Sequence, residues 1–95
     1  MTKIKWLPEA LEDVERLYEF LKGIDAQAAS QCVEIILKGS RLLKSTPRLG
    51  RPILDESGRR ELFMQFGAAA YVLRYKFEDE TVVITRVWHS REDRK

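Results

Sequence analysis

The chain has 95 residues, of which 44% are hydrophobic and 34% charged, and its formal net charge is +2. This composition predicts a single globular domain over residues 1–95, just large enough to bury its own core. No apolar run approaches the roughly 18–20 residues that cross a membrane, and no leader-like segment opens the chain. The single cysteine, Cys32, has no partner for an internal disulfide, so we expect a cytoplasmic protein.

The charge is distributed unevenly along the chain. Residues 1–40 contain five basic and seven acidic side chains, a balance of −2. Residues 41–95 contain twelve basic and eight acidic side chains, a balance of +4. A basic half of this kind can meet nucleic acid or an acidic protein partner, and charge alone does not distinguish the two.

A short strand and a long amphipathic helix open the predicted fold. Residues 3–6 alternate polar and apolar side chains, as in a half-buried strand. Pro8 suits the first turn of a helix, because the N–H that it lacks has no intrahelical partner there. A helical apolar stripe then runs as far as Gly23, and consists of Ala10, Leu11, Val14, Leu17, Tyr18 and Leu21.

A second helix is predicted over residues 26–44, with Asp25 as its N-cap. The short connection makes the two helices an antiparallel hairpin. Cys32 lies among apolar helical positions and is interpreted as a buried filler. Gly39 predicts either a bend or a close neighbour. Residues 46–52 then form a turn-rich connector.

Three strands are predicted in the second half, at residues 61–66, 71–77 and 81–88. A two-residue loop between the last two strands would pair them as a hairpin. Alternation then places one face against the helices, consisting of Leu62, Met64, Phe66, Tyr71, Leu73, Tyr75, Phe77, Val82, Ile84 and Trp88. Arg86 falls on the same face, where it can reach solvent or pair with an acidic residue of the first helix.

These elements predict an α+β fold: an N-terminal strand and an antiparallel helical hairpin packed on one face of a small twisted antiparallel sheet. The opposite, open face is polar and net basic, and we interpret it as a candidate binding surface. Its polar members are Glu61, Gln65, Arg74, Lys76, Thr85 and His89, with Phe63, Val72, Val83 and Val87 between them. An ordinary solvated sheet face is the alternative interpretation.

The side chains with acid–base or charge-stabilising capacity are Glu61, Arg74, His89 and Arg91. His89 is the only histidine, and imidazole is the side chain best suited to proton transfer near neutral pH. The alternatives are a structural His89 and a cross-strand ion pair between Glu61 and Arg74. Arg91, Arg94 and Lys95 are interpreted as solvated tail charge. No metal-ligand cluster, phosphate loop or nucleophile motif occurs, so neither a metal nor a cofactor is implied.

Several short strings resemble the RelE/ParE toxins of bacterial type II toxin–antitoxin operons in their order and spacing. The opening Trp6-Leu7-Pro8-Glu9-Ala10 with Asp13 and Tyr18 is similar to the start of that family. Pro47-Arg48-Leu49-Gly50-Arg51-Pro52 resembles the loop after its helical hairpin. Three further strings resemble parts of the C-terminal sheet of that family: Arg60-Glu61-Leu62, Tyr71-Val72-Leu73-Arg74-Tyr75 and Val87-Trp88-His89-Ser90-Arg91. The resemblance extends over nearly the whole chain and implies the same fold.

The resemblance implies one of two activities. RelE-like members cut messenger RNA on the ribosome with side chains of the open sheet face, whereas ParE-like members block DNA gyrase. The nucleases often place an arginine after the aromatic residue that opens the middle hairpin strand, and Val72 stands there, after Tyr71. Residues 53–58 contain no lysine cluster. Both departures favour the ParE-like activity.

We therefore expect a ParE-like toxin of a plasmid-stabilisation system that inhibits gyrase by protein–protein contact. The alternatives are a ribosome-dependent mRNA endonuclease, using Glu61, Arg74, His89 and Arg91, and a non-toxic remnant that only binds its antitoxin. In each case an antitoxin is expected to cover apolar surface on the helical hairpin and to bring acidic side chains to the basic sheet. The candidate contacts for target or antitoxin are Arg51, Arg60, Arg74, Lys76, His89 and Arg91.

Overall fold

Two helices pack on one face of a five-stranded sheet in the computed structural model, which describes residues 2–92. The elements in chain order are β1 (Lys3–Trp6), α1 (Pro8–Lys22), α2 (Ala26–Ser45), β2 (Arg51–Pro52), β3 (Arg59–Phe66), β4 (Ala69–Glu78) and β5 (Thr81–His89). The strand order is β1-β5-β4-β3-β2. The predicted α+β fold is confirmed.

Two features of the sheet differ from the prediction. β1 pairs with β5 in parallel, so the sheet is mixed rather than wholly antiparallel. The connector after α2 also contributes β2, in which Arg51 pairs with Glu61 and Pro52 with Arg60. The periodicity of the sequence shows neither difference, because β1 and β5 lie at opposite ends of the chain and the two residues of β2 are too few to form a pattern.

The helices begin and end where local chemistry predicts. Pro8 occupies the first turn of α1, and Gly23 caps its C-terminus. The Asp25 carboxylate caps α2 by accepting hydrogen bonds from the backbone N–H groups of Gln27 and Ala28, at 3.0 and 3.4 Å. This cap satisfies two donors that the first turn of a helix leaves without intrahelical partners.

Gly39 allows α2 to approach β3 closely. Met64 of β3 packs directly against it, and a Cβ at residue 39 would overlap Met64 Sδ. The close-neighbour interpretation of this glycine is therefore confirmed.

The core lies between the helix stripes and the helix-facing side of the sheet. Leu73, Tyr75, Val82 and Ile84 are fully buried there, and Cys32 is buried among them as predicted. Burial of each large apolar side chain contributes about 1.5–3 kcal/mol to the stability of the folded state. Among the described residues, no helix is long and apolar enough to cross a membrane.

The β4–β5 hairpin closes through the predicted two-residue loop. Asp79 and Glu80 have positive φ angles of 52° and 57°, the geometry of a type I′ turn. Beyond the turn, Tyr75 pairs with Ile84, and the predicted alternation is confirmed for this half of the hairpin.

A β-bulge interrupts the alternation further along β5. Tyr75 pairs with Ile84 but Arg74 pairs with Arg86, so Thr85 has no partner residue on β4. One extra residue on one strand shifts the inward and outward positions of everything that follows.

Three predicted side-chain positions are consequently wrong. Val87, expected on the open face, is fully buried opposite Leu73. Trp88, expected in the core, lies on the open face. His89, expected on the open face, pairs with Tyr71 on the helix side of the sheet.

Alkaline pH is expected to destabilise this core. Burial raises the pKa of the Cys32 thiol above its usual 9.0, and raises the pKa values of the Tyr71 and Tyr75 hydroxyls above their usual 10.0. The folded state therefore keeps protons that the unfolded state loses, so stability is complete below about pH 9 and falls as pH rises beyond it.

The urea unfolding midpoint, measured from about pH 8 to pH 11, tests this expectation. The midpoint should fall above about pH 9, and less steeply in Tyr71→Phe than in the parent chain. Equal slopes in the two chains would contradict a contribution from Tyr71.

Candidate functional site

The open face carries an apolar row beside a charged row. Phe63, Val72 and Trp88 lie opposite one another across β3, β4 and β5. In the next row, Glu61 lies between Arg51 of β2 and Arg74 of β4. The arrangement is the predicted open face, to which the bulge has added Trp88 and from which it has removed Val87 and His89.

Two arginines of the charged row stack on two rings of the apolar row. The Arg51 Cζ lies 4.4 Å from the centroid of the Phe63 ring, and the Arg74 Cζ lies 4.8 Å from the centroid of the Trp88 ring. Cation–π contacts of this kind are worth about 0.5–1 kcal/mol at exposed sites. They also leave cationic and aromatic groups side by side on one surface.

Glu61 and Arg74 form the predicted cross-strand ion pair. Glu61 Oε2 accepts hydrogen bonds from Arg74 Nη2 at 2.9 Å and from Nε at 3.2 Å. The two side chains are only 18% and 25% exposed. Because each group is the other's partner, neither is available as an unengaged base or phosphate clamp.

The other basic candidates divide into exposed and structural side chains. Arg51 is exposed, and the Lys76 side chain is 42% exposed, with a long 3.7 Å contact to Glu78. Arg60 instead donates hydrogen bonds to the carbonyl oxygens of Arg48 and Gly50, at 3.2 and 2.8 Å. The role of Arg60 in this structure is therefore to hold the connector against β3.

His89 lies across the sheet from Glu61 and Arg74. Its ring contacts the edge of the Tyr71 ring, with centroids 5.3 Å apart and an interplanar angle of 78°. His89 Nδ1 accepts a hydrogen bond from the Arg91 backbone N–H at 3.2 Å. The four residues predicted for RNA cleavage are thus brought together as two pairs rather than as one site.

The bulge is anchored by a buried carboxylate of α1. Asp13 accepts hydrogen bonds from Arg86 Nε at 2.7 Å, from Arg86 Nη2 at 3.0 Å and from the backbone N–H of Val87 at 2.9 Å. The predicted pairing of Arg86 with the first helix is confirmed.

Sequence reasoning missed an apolar groove of about 460 Å³ between α1 and the end of the sheet. Its lining has an apolar and aromatic part, consisting of Leu17, Phe20, Leu21, Phe66 and Tyr71, and a polar part, consisting of Arg16, His89, Arg91 and Glu92. The available signal was Phe20, an aromatic residue of α1 outside the predicted apolar stripe. Arg94 and Lys95, predicted as solvated charge, lie outside the described residues.

No group of three or more His, Cys, Asp or Glu side chains within residues 2–92 is arranged to hold a metal ion.

Comparison with solved structures identifies the fold. The chromosomal ParDE toxin–antitoxin system of P. aeruginosa aligns with a TM-score of 0.77 at 18% identity, covering 96% of this chain and 98% of the other. The RelBE complex of E. coli aligns with a TM-score of 0.59 at 12% identity, covering 99% and 100%. The chain therefore has the fold of these two structures, which is the fold that the sequence resemblance predicted.

Sequence comparison identifies the family. Residues 4–94 match the family model for the ParE toxin of the type II toxin–antitoxin system parDE. Toxin RelE3 of Caulobacter vibrioides is 34% identical, over 99% of this chain and 100% of that protein. Toxin RelE1 of the same organism is 33% identical, over 90% and 89%. The chain belongs to the ParE toxin family and is the toxin component of a type II toxin–antitoxin system.

Proposed function

We propose that this toxin inhibits DNA gyrase by protein–protein contact in the cytoplasm and that a cognate antitoxin neutralises it. The observation that supports this proposal most directly is the separation of its acid–base groups. Glu61 and Arg74 bind each other on one face of the sheet, and His89 lies on the other.

RNA cleavage requires these groups to converge. A base must reach the ribose 2′-hydroxyl, an acid must reach the leaving oxygen, and cations must stabilise the charge that develops between them. Each group must lie within about 3 Å of the atom on which it acts, and these atoms belong to one phosphodiester linkage and its adjoining ribose. The sheet separates His89 from Glu61 and Arg74, so this set has no common reaction centre in the described structure.

The open face has instead the composition of a protein-binding surface. Arginine, tryptophan and other aromatic residues are enriched among the side chains that dominate protein–protein binding energy. The stacked pairs Arg51–Phe63 and Arg74–Trp88 present this combination on neighbouring strands. We propose them, with Lys76, as contacts to the target.

An antitoxin partner is supported by the solved relatives, because the P. aeruginosa and E. coli structures are a ParDE system and a RelBE toxin–antitoxin complex. The basic surface of this chain favours acidic antitoxin side chains. Affinity for the antitoxin should therefore decrease as salt rises, since exposed ion pairs are screened over about 8–10 Å at physiological ionic strength.

A ribosome-dependent mRNA endonuclease remains the second candidate. It is favoured by the two curated relatives, which are both named RelE toxins. In that case His89 would act from the helix side of the sheet, apart from the Glu61–Arg74 pair.

A supercoiling assay with purified toxin and gyrase tests the proposal. We expect inhibition near stoichiometric toxin, and an approximately tenfold higher inhibitory concentration for Arg51→Glu. Arg41→Glu on α2 is the matched control, because it makes the same charge change at an exposed position of a helix and should inhibit like the parent.

Two results would overturn gyrase inhibition. One is unchanged supercoiling at a large excess of toxin, together with cleavage of message in a translation extract that His89→Gln abolishes. The other is unchanged supercoiling together with normal growth of cells that express the toxin alone, which would indicate a non-toxic remnant.

A further inference from the structure

The outer edge of β3 is unpaired over residues 62–66, which we call the edge window. We propose that this window is a self-association site, at which two copies of the toxin pair their β3 strands in antiparallel fashion about a two-fold axis at Met64. The inference concerns an interface between identical chains and does not depend on gyrase being the target.

β2 covers only the first half of β3. It pairs with Arg60 and Glu61, and the connector before it packs on the Tyr75 ring at Gly50. β2 is the outermost strand on this side of the sheet. Within residues 2–92, no strand pairs with the outer side of the edge window.

The backbone of the edge window presents hydrogen-bonding groups to the outside. The Ile53 N–H donates to the Arg59 oxygen at 2.9 Å, so Arg59 and, two residues later, Glu61 direct their N–H and C=O groups towards β2. The same alternation directs those of Phe63 and Gln65 to the open edge, whereas the intervening residues bond to β4. Two donors and two acceptors are therefore available to another strand.

The side chains of the edge window do not prevent such pairing. The window reads Leu62-Phe63-Met64-Gln65-Phe66 and contains no charge, proline or glycine. Soluble proteins usually protect an exposed edge with charged residues, proline or a bulge. Here Arg51 and Pro52 of β2 protect the first half of β3, and the second half has no such protection.

An antiparallel second copy matches the outward groups of the window. With Met64 on the axis, Phe63 of each copy lies opposite Gln65 of the other, and each of these two pairs exchanges two hydrogen bonds. On the helix side, Leu62 of each copy lies opposite Phe66 of the other. Apolar side chains therefore meet on both sides of the axis.

The surrounding structure selects this register. A register centred on Phe63 would place the second copy against Glu61, whose outer side β2 already occupies. In the other direction, β3 ends at Phe66. The five residues of the window are thus the length of strand that each copy can offer and accept.

α2 brings further apolar surface to the same axis. Gly39 packs on Met64, so the middle of α2 lies beside the axis. Ile35 and Leu42 flank Gly39 at helical spacings of four and three residues. Leu42 is 49% exposed, and an antiparallel second α2 would bring it towards Ile35 of the other copy. Pairing of the strands would therefore also remove Leu42 from water.

The charges near the window favour a second copy over an acidic partner segment. Arg51 lies opposite Glu61, three residues from Met64, which is about 10 Å at about 3.4 Å per residue. The Arg51 side chains of two copies would thus be about 20 Å apart, beyond the screening length of about 8–10 Å. An acidic segment would gain no ion pair along the uncharged window, whereas a second β3 matches it in length and in lack of charge.

Sedimentation velocity of the purified toxin over a range of concentrations tests the proposal. The parent should sediment as a dimer at high concentration. Gln65→Lys should raise the dissociation constant of the dimer at least about tenfold, because it brings two like charges close to the axis. Leu42→Glu should do the same from the helix side. Both positions are exposed, so both variants should retain the parental circular dichroism.

Each variant has a matched control. Gln65→Thr keeps a neutral side chain suited to a strand, and its dissociation constant should stay within about threefold of that of the parent. Leu11→Glu makes the same change as Leu42→Glu at a 53% exposed leucine of α1, away from the β3 edge, and should dimerise like the parent.

Amide hydrogen exchange locates the interface within β3. The N–H groups of Phe63 and Gln65 should exchange more slowly as toxin concentration rises, because pairing gives them acceptors. The Met64 N–H is the internal control, since it points to β4 and should be equally protected at every concentration.

Three results would overturn the inference. The first is a toxin that stays monomeric at every concentration, including one whose Phe63 and Gln65 amides slow only when antitoxin is added. The second is a dimer in which these amides exchange as fast as in the monomer. The third is a Gln65→Lys variant that folds and dimerises like the parent. A dimer that fails to inhibit gyrase would instead contradict the proposed function alone.

Discussion

Replacing Asp13 by alanine is expected to lower the free energy of unfolding by about 3 kcal/mol. Asp13 is 4% exposed, and among its contacts are hydrogen bonds accepted from Arg86 and from the backbone of Val87 and an ion pair with Arg16 at 3.6 Å. Without the carboxylate, the buried Val87 N–H loses its acceptor. The Arg86 side chain, 39% exposed, can turn towards solvent, so most of the loss comes from the backbone donor and the removed charge-assisted bonds.

Urea unfolding, with two companion variants, measures this effect. Asp13→Asn keeps the shape of the side chain and one carbonyl oxygen. Its free energy of unfolding should therefore lie between those of the parent and Asp13→Ala. Glu12→Ala removes an exposed carboxylate from the neighbouring position of α1 and should change stability by less than about 0.5 kcal/mol. If Asp13→Ala lowered the free energy of unfolding no more than Glu12→Ala does, the contact of Asp13 with the bulge would not stabilise the fold.

Gly50→Ala is expected to cost about 2–3 kcal/mol, because the connector crosses the Tyr75 ring at this glycine. A Cβ at residue 50 would lie 2.7 Å from Tyr75 Cε1 and 3.0 Å from the Glu61 carbonyl oxygen. The ring cannot move away easily. Its hydroxyl accepts a hydrogen bond from the Gly50 N–H at 2.9 Å and donates one to the Pro47 oxygen at 2.7 Å.

Gly23→Ala is the appropriate comparison for this substitution. Gly23 has a right-handed φ of −70°, and a Cβ there would have no neighbour nearer than 3.7 Å. Its substitution should be neutral or slightly stabilising, since alanine restricts the unfolded chain. Equal unfolding midpoints for Gly50→Ala and Gly23→Ala would show that the connector can move to accommodate the new Cβ without a loss of stability.

The two predictions concern contacts that position both candidate surfaces. The Asp13 anchor holds the strand end that carries Trp88 and His89, and the Gly50–Tyr75 contact holds the connector that carries Arg51. Loss of either contact should therefore reduce binding as well as stability. Measuring affinity below the unfolding transition separates the two effects.

The sequence by itself determined the α+β class, both helices, the hairpin and the family. These features depend on local chemistry: Pro8 and Asp25 start helices through the backbone donors of a first turn, and apolar periodicity selects the helix faces. The strings that resemble the toxins lie within these same elements. Glu61 and Arg74 were also predictable as a pair, since they occupy neighbouring strands on one face.

Only the tertiary structure decided which surface receives Trp88 and His89. The segment from Thr81 to His89 has β-branched residues on both faces, so its alternation contains no mark of an extra residue at Thr85. The bulge is instead stabilised by Asp13, which binds the backbone of Val87 from 74 positions away in the chain. A contact between residues so far apart in the chain leaves no trace in the local pattern of side chains. The bulge that it stabilises places the His89 imidazole beside Tyr71 and the Trp88 indole beside Arg74.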